Sequence, residues 1–122
     1  MPKVLVVDGE RAQFDRLQVA CEIAGMSVAW SANVAEALRA VRQEPPVAIL
    51  LDGGLPGTSI GDVVTLLKEN PSTSRIPIIL VCERNSDSLA KGWNTDADMV
   101  LEKPVDPVEL VAVVDRMAAA SQ

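Results

Sequence analysis

The sequence predicts an α/β domain built on one doubly wound sheet of five parallel strands. Three observations carry that expectation. Lys3–Val7 (KVLVV), Val47–Leu51 (VAILL) and Ile76–Val81 (IPIILV) are short apolar runs without polar alternation, the pattern of strands covered on both faces. Between them lie segments whose apolar residues recur at helical spacing. The first and central runs each stop at a carboxylate, Asp8 and Asp52, followed at once by turn-forming residues, Gly9-Glu10 and Gly53-Gly54-Leu55-Pro56-Gly57.

Each element has its own signal. After the first strand, Phe14, Leu17, Cys21 and Ala24 mark one face of a helix over Arg11–Ala24, and Gly25 is placed to close it. Met26–Trp30 reads as a short strand. Asn33 with Glu36 three residues later forms a capping box for a helix whose face is Val34, Ala37, Leu38 and Val41, and Glu44-Pro45-Pro46 stops it. The central strand follows, then a helix over Gly61–Asn70 with Val63, Val64, Leu66 and Leu67 inward. Pro77 is tolerable near the start of the fourth strand, where not every residue donates to the ladder. Asp87–Trp93 reads as a short helix and Met99–Leu101 as a brief strand. Asp106-Pro107-Val108-Glu109 combines an N-cap, a first-turn proline and an acidic first turn for a last helix to about Ala119, with Leu110, Val111, Val114 and Met117 inward.

Five strands alternating with five helices imply right-handed crossovers and helices on both faces of the sheet. The natural solution is the flavodoxin-like order 2-1-3-4-5, with the first and third strands adjacent at the switch point. Ligands bind in the crevice at the carboxyl ends of such strands. Asp8 and Asp52 therefore converge there, and Lys103, after the fifth strand, reaches in from the side.

At 122 residues and 48% hydrophobic content the chain is expected to form one domain, residues 1–122, with a proper core. A net charge of −6 argues against a nucleic-acid or membrane surface, both of which need clustered cations. No apolar run has the length of a membrane span, and the start of the chain leads into a strand rather than a signal peptide, so a cytoplasmic protein is expected. Cys21 and Cys82 are too few for a disulfide framework or zinc site. With no histidine and no Gly-rich phosphate loop, His-based catalysis and nucleotide cradling are excluded, and any phosphate must come from a separate donor.

Together VLVVDGE (Val4–Glu10), LLDGGLPG (Leu50–Gly57), IPIILVC (Ile76–Cys82) and LEKPV (Leu101–Val105) resemble the receiver domain of the response regulators of bacterial two-component systems, across almost the whole chain. The resemblance implies a phosphoprotein that is not a conventional enzyme, at most catalysing its own phosphotransfer and dephosphorylation. Carried over by position, Asp52 is the phospho-acceptor, Asp8 the first of an acidic pair binding Mg²⁺, and Lys103 the lysine that contacts the phosphoryl oxygens. The implied partners are a histidine kinase or phosphotransfer protein, an output domain or effector, and a second copy in a homodimer. The implied output surface is the last two helices and the fifth strand. A carboxylate is a poor nucleophile toward a phosphoryl group unless cations neutralise the approach. Mg²⁺ takes few carboxylates and several waters, a set that Asp8, Asp52 and the Gly54 backbone carbonyl can supply.

The departures from the family are specific. Gly9 stands where a second acid belongs. Glu10 is the next candidate, but a one-residue shift at a strand end points a side chain elsewhere. Cys82 replaces a Ser or Thr contacting the phosphoryl group, and a thiol is a weaker donor. Glu83 replaces a small residue and would repel phosphate. Val100 replaces the aromatic switch residue, and Ser59-Ile60 replaces Asp-Gly. These departures favour the alternative of a phosphorylation-independent receiver acting as a protein-interaction module. A phosphohydrolase of the haloacid-dehalogenase kind, suggested by Leu51-Asp52-Gly53, fails because its nucleophile position is Leu50. Asp8 also has a plain role as turn former, Lys103 as a surface lysine, Cys82 as a small hydrophobe, and Trp30 and Trp93 as packing residues.

Overall fold

The computed structural model describes residues 3–55, 57, 59–84, 86, 87 and 94–120. In chain order it holds β1 (Lys3–Val7), α1 (Arg11–Ile23), β2 (Ser27–Ser31), α2 (Val34–Gln43), β3 (Ala48–Asp52), α3 (Ile60–Glu69), β4 (Ile78–Cys82), β5 (Met99–Glu102) and α4 (Pro107–Ala120). The five strands are all parallel in the order β2-β1-β3-β4-β5, as the alternation of elements implies. The short helix expected over Asp87–Trp93 falls, apart from Asp87, outside the described residues.

Alternate strand residues feed opposite faces, so the continuous apolar runs build two cores. Val4, Val6, Leu50, Ile79 and Val81 pack beneath α1 and α4 with Phe14, Leu17, Cys21, Leu110 and Val114. Leu5, Val7, Ile49, Leu51, Ile78 and Leu80 pack beneath α2 and α3 with Ala37, Val41, Val63, Val64 and Leu67. Val100, on β5 opposite Leu80, belongs to the second core and is buried there.

The helix ends follow the local chemistry. Asn33 Oδ1 accepts the Glu36 N–H at 2.9 Å, and the Glu36 carboxylate reaches back to accept the Ala32 N–H at 2.8 Å. Asp106 Oδ1 accepts the Val108 N–H at 3.0 Å, capping α4. Gly25 closes α1 at φ +88, the left-handed region a glycine enters without penalty.

Several boundaries and faces differ from expectation. Ala24 is the exposed C-cap of α1 rather than part of its inward face. Met26 is buried but precedes β2, and β4 begins two residues late, after Pro77. Leu66 is 47% exposed, because the inward stripe of α3 runs through Val63, Val64 and Leu67. On α4 the buried position beside Val114 is Val113, whereas Val111 is only half buried.

Candidate functional site

Asp8 follows β1 and Asp52 ends β3, and because these strands are neighbours the two carboxylates open onto one cleft at the carboxyl edge of the sheet. The cleft encloses about 520 Å³. Asp8, Asp52, Lys103 and Glu83 are its charged members near the strand ends, and apolar side chains such as Phe14 and Val105 line it deeper between α1 and the segment leading into α4.

Asp8 is held at four points. Its N–H donates to the Ser31 carbonyl at 3.1 Å, its carbonyl accepts the Trp30 indole N–H at 2.8 Å, and its Oδ1 accepts the Glu10 N–H at 2.8 Å. The fourth restraint is burial, since the residue is only 7% exposed. Burial pushes its pKa above the ordinary 3.8 and the charge of Asp52 adds to the rise, opposed by the Glu10 N–H and by Lys103. The Trp30 ring is itself fixed, with Phe14 at 6.3 Å between centroids and the Arg11 guanidinium 4.9 Å from its centroid.

Asp52 is held differently. Its Oδ1 accepts the Gly54 N–H at 3.0 Å and pairs with Lys103 Nζ at 2.9 Å. The two side chains are 11% and 18% exposed, so this ion pair is largely withdrawn from water. Burial works against the Lys103 ammonium, but the hydrogen bond and charge of Asp52, then the charges of Glu83 and Asp8, outweigh it and raise its pKa above 10.5. Lys103 is positioned by its own N–H, which donates to the Cys82 carbonyl at 2.9 Å.

The structure thus brings together Asp8, Asp52 and Lys103, as the topology implies. It leaves Glu10 outside the cleft's lining, its carboxylate accepting the Gln13 amide at 3.0 Å on α1. Cys82 is buried, and its Sγ lies where a β-carbon on Gly53 would come within 2.8 Å of it, so the thiol backs Gly53 rather than lining the cleft. Burial and Asp52 push that thiol's pKa up, with Lys103 opposing. Sequence reasoning missed that Glu83 pairs with Lys103, Nζ to Oε1 3.5 Å; its place directly after β4, level with the lysine after β5, was the available signal.

The donor set suits a hard cation of modest demand. Among the described residues no three or more His, Cys, Asp or Glu side chains are grouped to hold a metal ion. Two carboxylates with waters and a carbonyl still meet what Mg²⁺ requires, at lower anionic charge than a three-acid site.

Comparison with known proteins is consistent across sequence and structure. Residues 4–115 match the response regulator receiver domain family. The phosphate regulon transcriptional regulatory protein PhoB of Pseudomonas aeruginosa is 36% identical over 110 residues, which cover 89% of this chain and 48% of that protein. Protein PilH of the same species is 28% identical over 121 residues, 98% of this chain and 99% of PilH. The chain spans about half the length of PhoB and PrrA among the curated relatives it matches, and nearly all of PilH. A response regulator structure from Chloroflexus aurantiacus superposes with a TM-score of 0.85 at 28% identity, covering 98% of this chain and 99% of that one. The receiver domain of a Pseudomonas aeruginosa sensor histidine kinase, with magnesium coordinated in its active-site cleft, shares the fold at TM-score 0.83 and 19% identity, covering 97% of this chain and 98% of that one. No helix among the described residues is long and apolar enough to cross a membrane.

Proposed function

Since this chain belongs to the receiver-domain family of response regulators, the regulatory modules of two-component systems, we propose that Asp52 is its phospho-acceptor and that a histidine kinase or phosphotransfer protein is the donor. The observation that carries the reading is the Lys103 ammonium 2.9 Å from Asp52 Oδ1 at the mouth of the cleft. The Gly54 N–H and Lys103 together fix the carboxylate's orientation before any donor arrives. In the transfer an Asp52 oxygen bonds to phosphorus as the bond to the donor's leaving group breaks, and Lys103 is placed to neutralise charge on the transferred oxygens.

Asp8, Asp52 and the Gly54 carbonyl would hold Mg²⁺, while the Glu10 carboxylate accepts the Gln13 amide outside the cleft's lining. When bound, the ion supplies further neutralisation of the phosphoryl oxygens. Hydrolysis of the acyl phosphate within the same site would reset the domain. The output would pass through the surface of α4 and β5 to an output domain or effector protein. Val100, buried and without an aromatic ring to swing, implies that this output uses backbone and helix shifts rather than one rotamer change.

A second reading, a receiver that signals without phosphate, is favoured by Gly9, which leaves the site one acid short. Intact-protein mass after incubation with Mg²⁺ and acetyl phosphate separates the two. Gain of one phosphoryl group by the natural chain, absent in Asp52→Ala, is the expected result. No gain under any Mg²⁺ concentration would remove Asp52 as acceptor and leave the interaction module.

A further inference from the structure

Lys103 serves two carboxylates at once. Its Nζ lies 2.9 Å from Asp52 Oδ1 on the inner side and 3.5 Å from Glu83 Oε1 on the outer side. The inner partner is buried at 11% exposure, whereas Glu83 is 70% exposed and stands at the rim of the same cleft. An ion pair this exposed contributes little to stability. Its position, rather than its strength, gives it a role. A phosphoryl group on Asp52 would draw neutralising charge from the cation that Glu83 already shares, and Glu83 lines the same cleft as Asp52.

Resting on the assignment of Asp52 as acceptor, we infer that Glu83 is a positioning residue that holds the Lys103 ammonium in the unphosphorylated domain and competes with the incoming phosphoryl group for it, braking transfer. The chemistry of transfer is unaltered. With acetyl phosphate, an Asp52 oxygen forms the new bond to phosphorus, the bond from phosphorus to the acetyl oxygen breaks, and acetate leaves with the electron pair. Glu83 changes only the field in which this happens. Arg84, next in sequence, forms its ion pair with Glu102, Nε to Oε2 3.2 Å.

The test measures the rate of phosphoryl gain against acetyl phosphate concentration, with Mg²⁺, in the natural chain and in Glu83→Gln, Glu83→Asp and Asp52→Ala. Glu83→Gln is expected to be about two- to fivefold faster, the range set by an exposed ion pair. Glu83→Asp keeps the slow rate. The advantage of Glu83→Gln shrinks as salt is raised, since an exposed charge is screened and a merely structural effect is not. Gain in Glu83→Gln where the natural chain shows none also supports the brake. Equal or slower transfer in Glu83→Gln, with both chains phosphorylated at Asp52, overturns the brake and leaves Asp52 as acceptor. No gain in any chain, Glu83→Gln included, overturns both.

Discussion

The two sides of the cleft are built on different terms. On the β1 side, Asp8 is buried, tied to the backbone through the Glu10 N–H, and followed by a glycine. On the β3–β5 side, Asp52 is met by a cation, Lys103, which a third carboxylate, Glu83, also engages. The first side holds a carboxylate steadied by a backbone N–H and, at longer range, by Lys103, whereas the second sets two carboxylates directly on one shared cation. On the proposed reading the nucleophile and its ammonium are assembled, while the side that would hold Mg²⁺ has one acid fewer than the family pattern. A receiver site can therefore lose its parts separately, because strands far apart in sequence supply them.

The comparison breaks most severely at Lys103. Lys103→Met leaves Asp52 and Glu83 without their shared cation, and the rate of phosphoryl gain is expected to fall about a hundredfold, the effect of removing a preorganised charge from a transfer site. A rate within a few fold of the natural chain would show that the β3–β5 side does not carry the transfer. The next test rebuilds the weaker side. Gly9→Asp is expected to tighten Mg²⁺ about tenfold, because affinity for a hard cation follows the number of anionic ligands. Titration calorimetry reads this directly, and unchanged affinity would mean that the side chain at position 9 does not reach the ion.

The smallest effect concerns Asp8 alone, without divalent cation. Its folded pKa lies above 3.8, raised by burial and then by Asp52, so folding disfavours the ionised form. The stability this group contributes is present below the unfolded pKa and lost as pH rises through the folded one. Asp8→Asn should therefore be more stable than the natural chain at neutral pH, with the gain closing as pH falls through the raised folded pKa and gone once it is below 3.8. Urea midpoints across that range measure the difference. A gain that grows with acidity would contradict the burial of the charge.

Much of this was legible in the chain because it depends on local pattern. Runs such as Val47–Leu51 and Ile76–Val81 identify strands, Asn33/Glu36 and Asp106-Pro107 mark helix starts, and the alternation of elements implies the strand order that puts Asp8 beside Asp52. Over-assignments to the inward face, as at Leu66 and Val111, arise because an apolar residue at the edge of a stripe satisfies the spacing whether or not a neighbour covers it. What the sequence could not show is contact between distant residues. The Cys82 sulfur against Gly53 and the Trp30 bond to Asp8 each join separate segments, and no spacing rule connects them.

That last bond gives the domain an optical consequence. The chain has two tryptophans and no tyrosine, so its near-ultraviolet absorbance is almost wholly indole. One of those chromophores, Trp30, donates to the carbonyl of Asp8 and lies against the Arg11 guanidinium, two polar partners whose field sets its emission. Any charge that reaches Asp8 alters that field through a single peptide unit. The protein therefore carries an unlabelled, built-in reporter beside the carboxylate proposed to hold Mg²⁺.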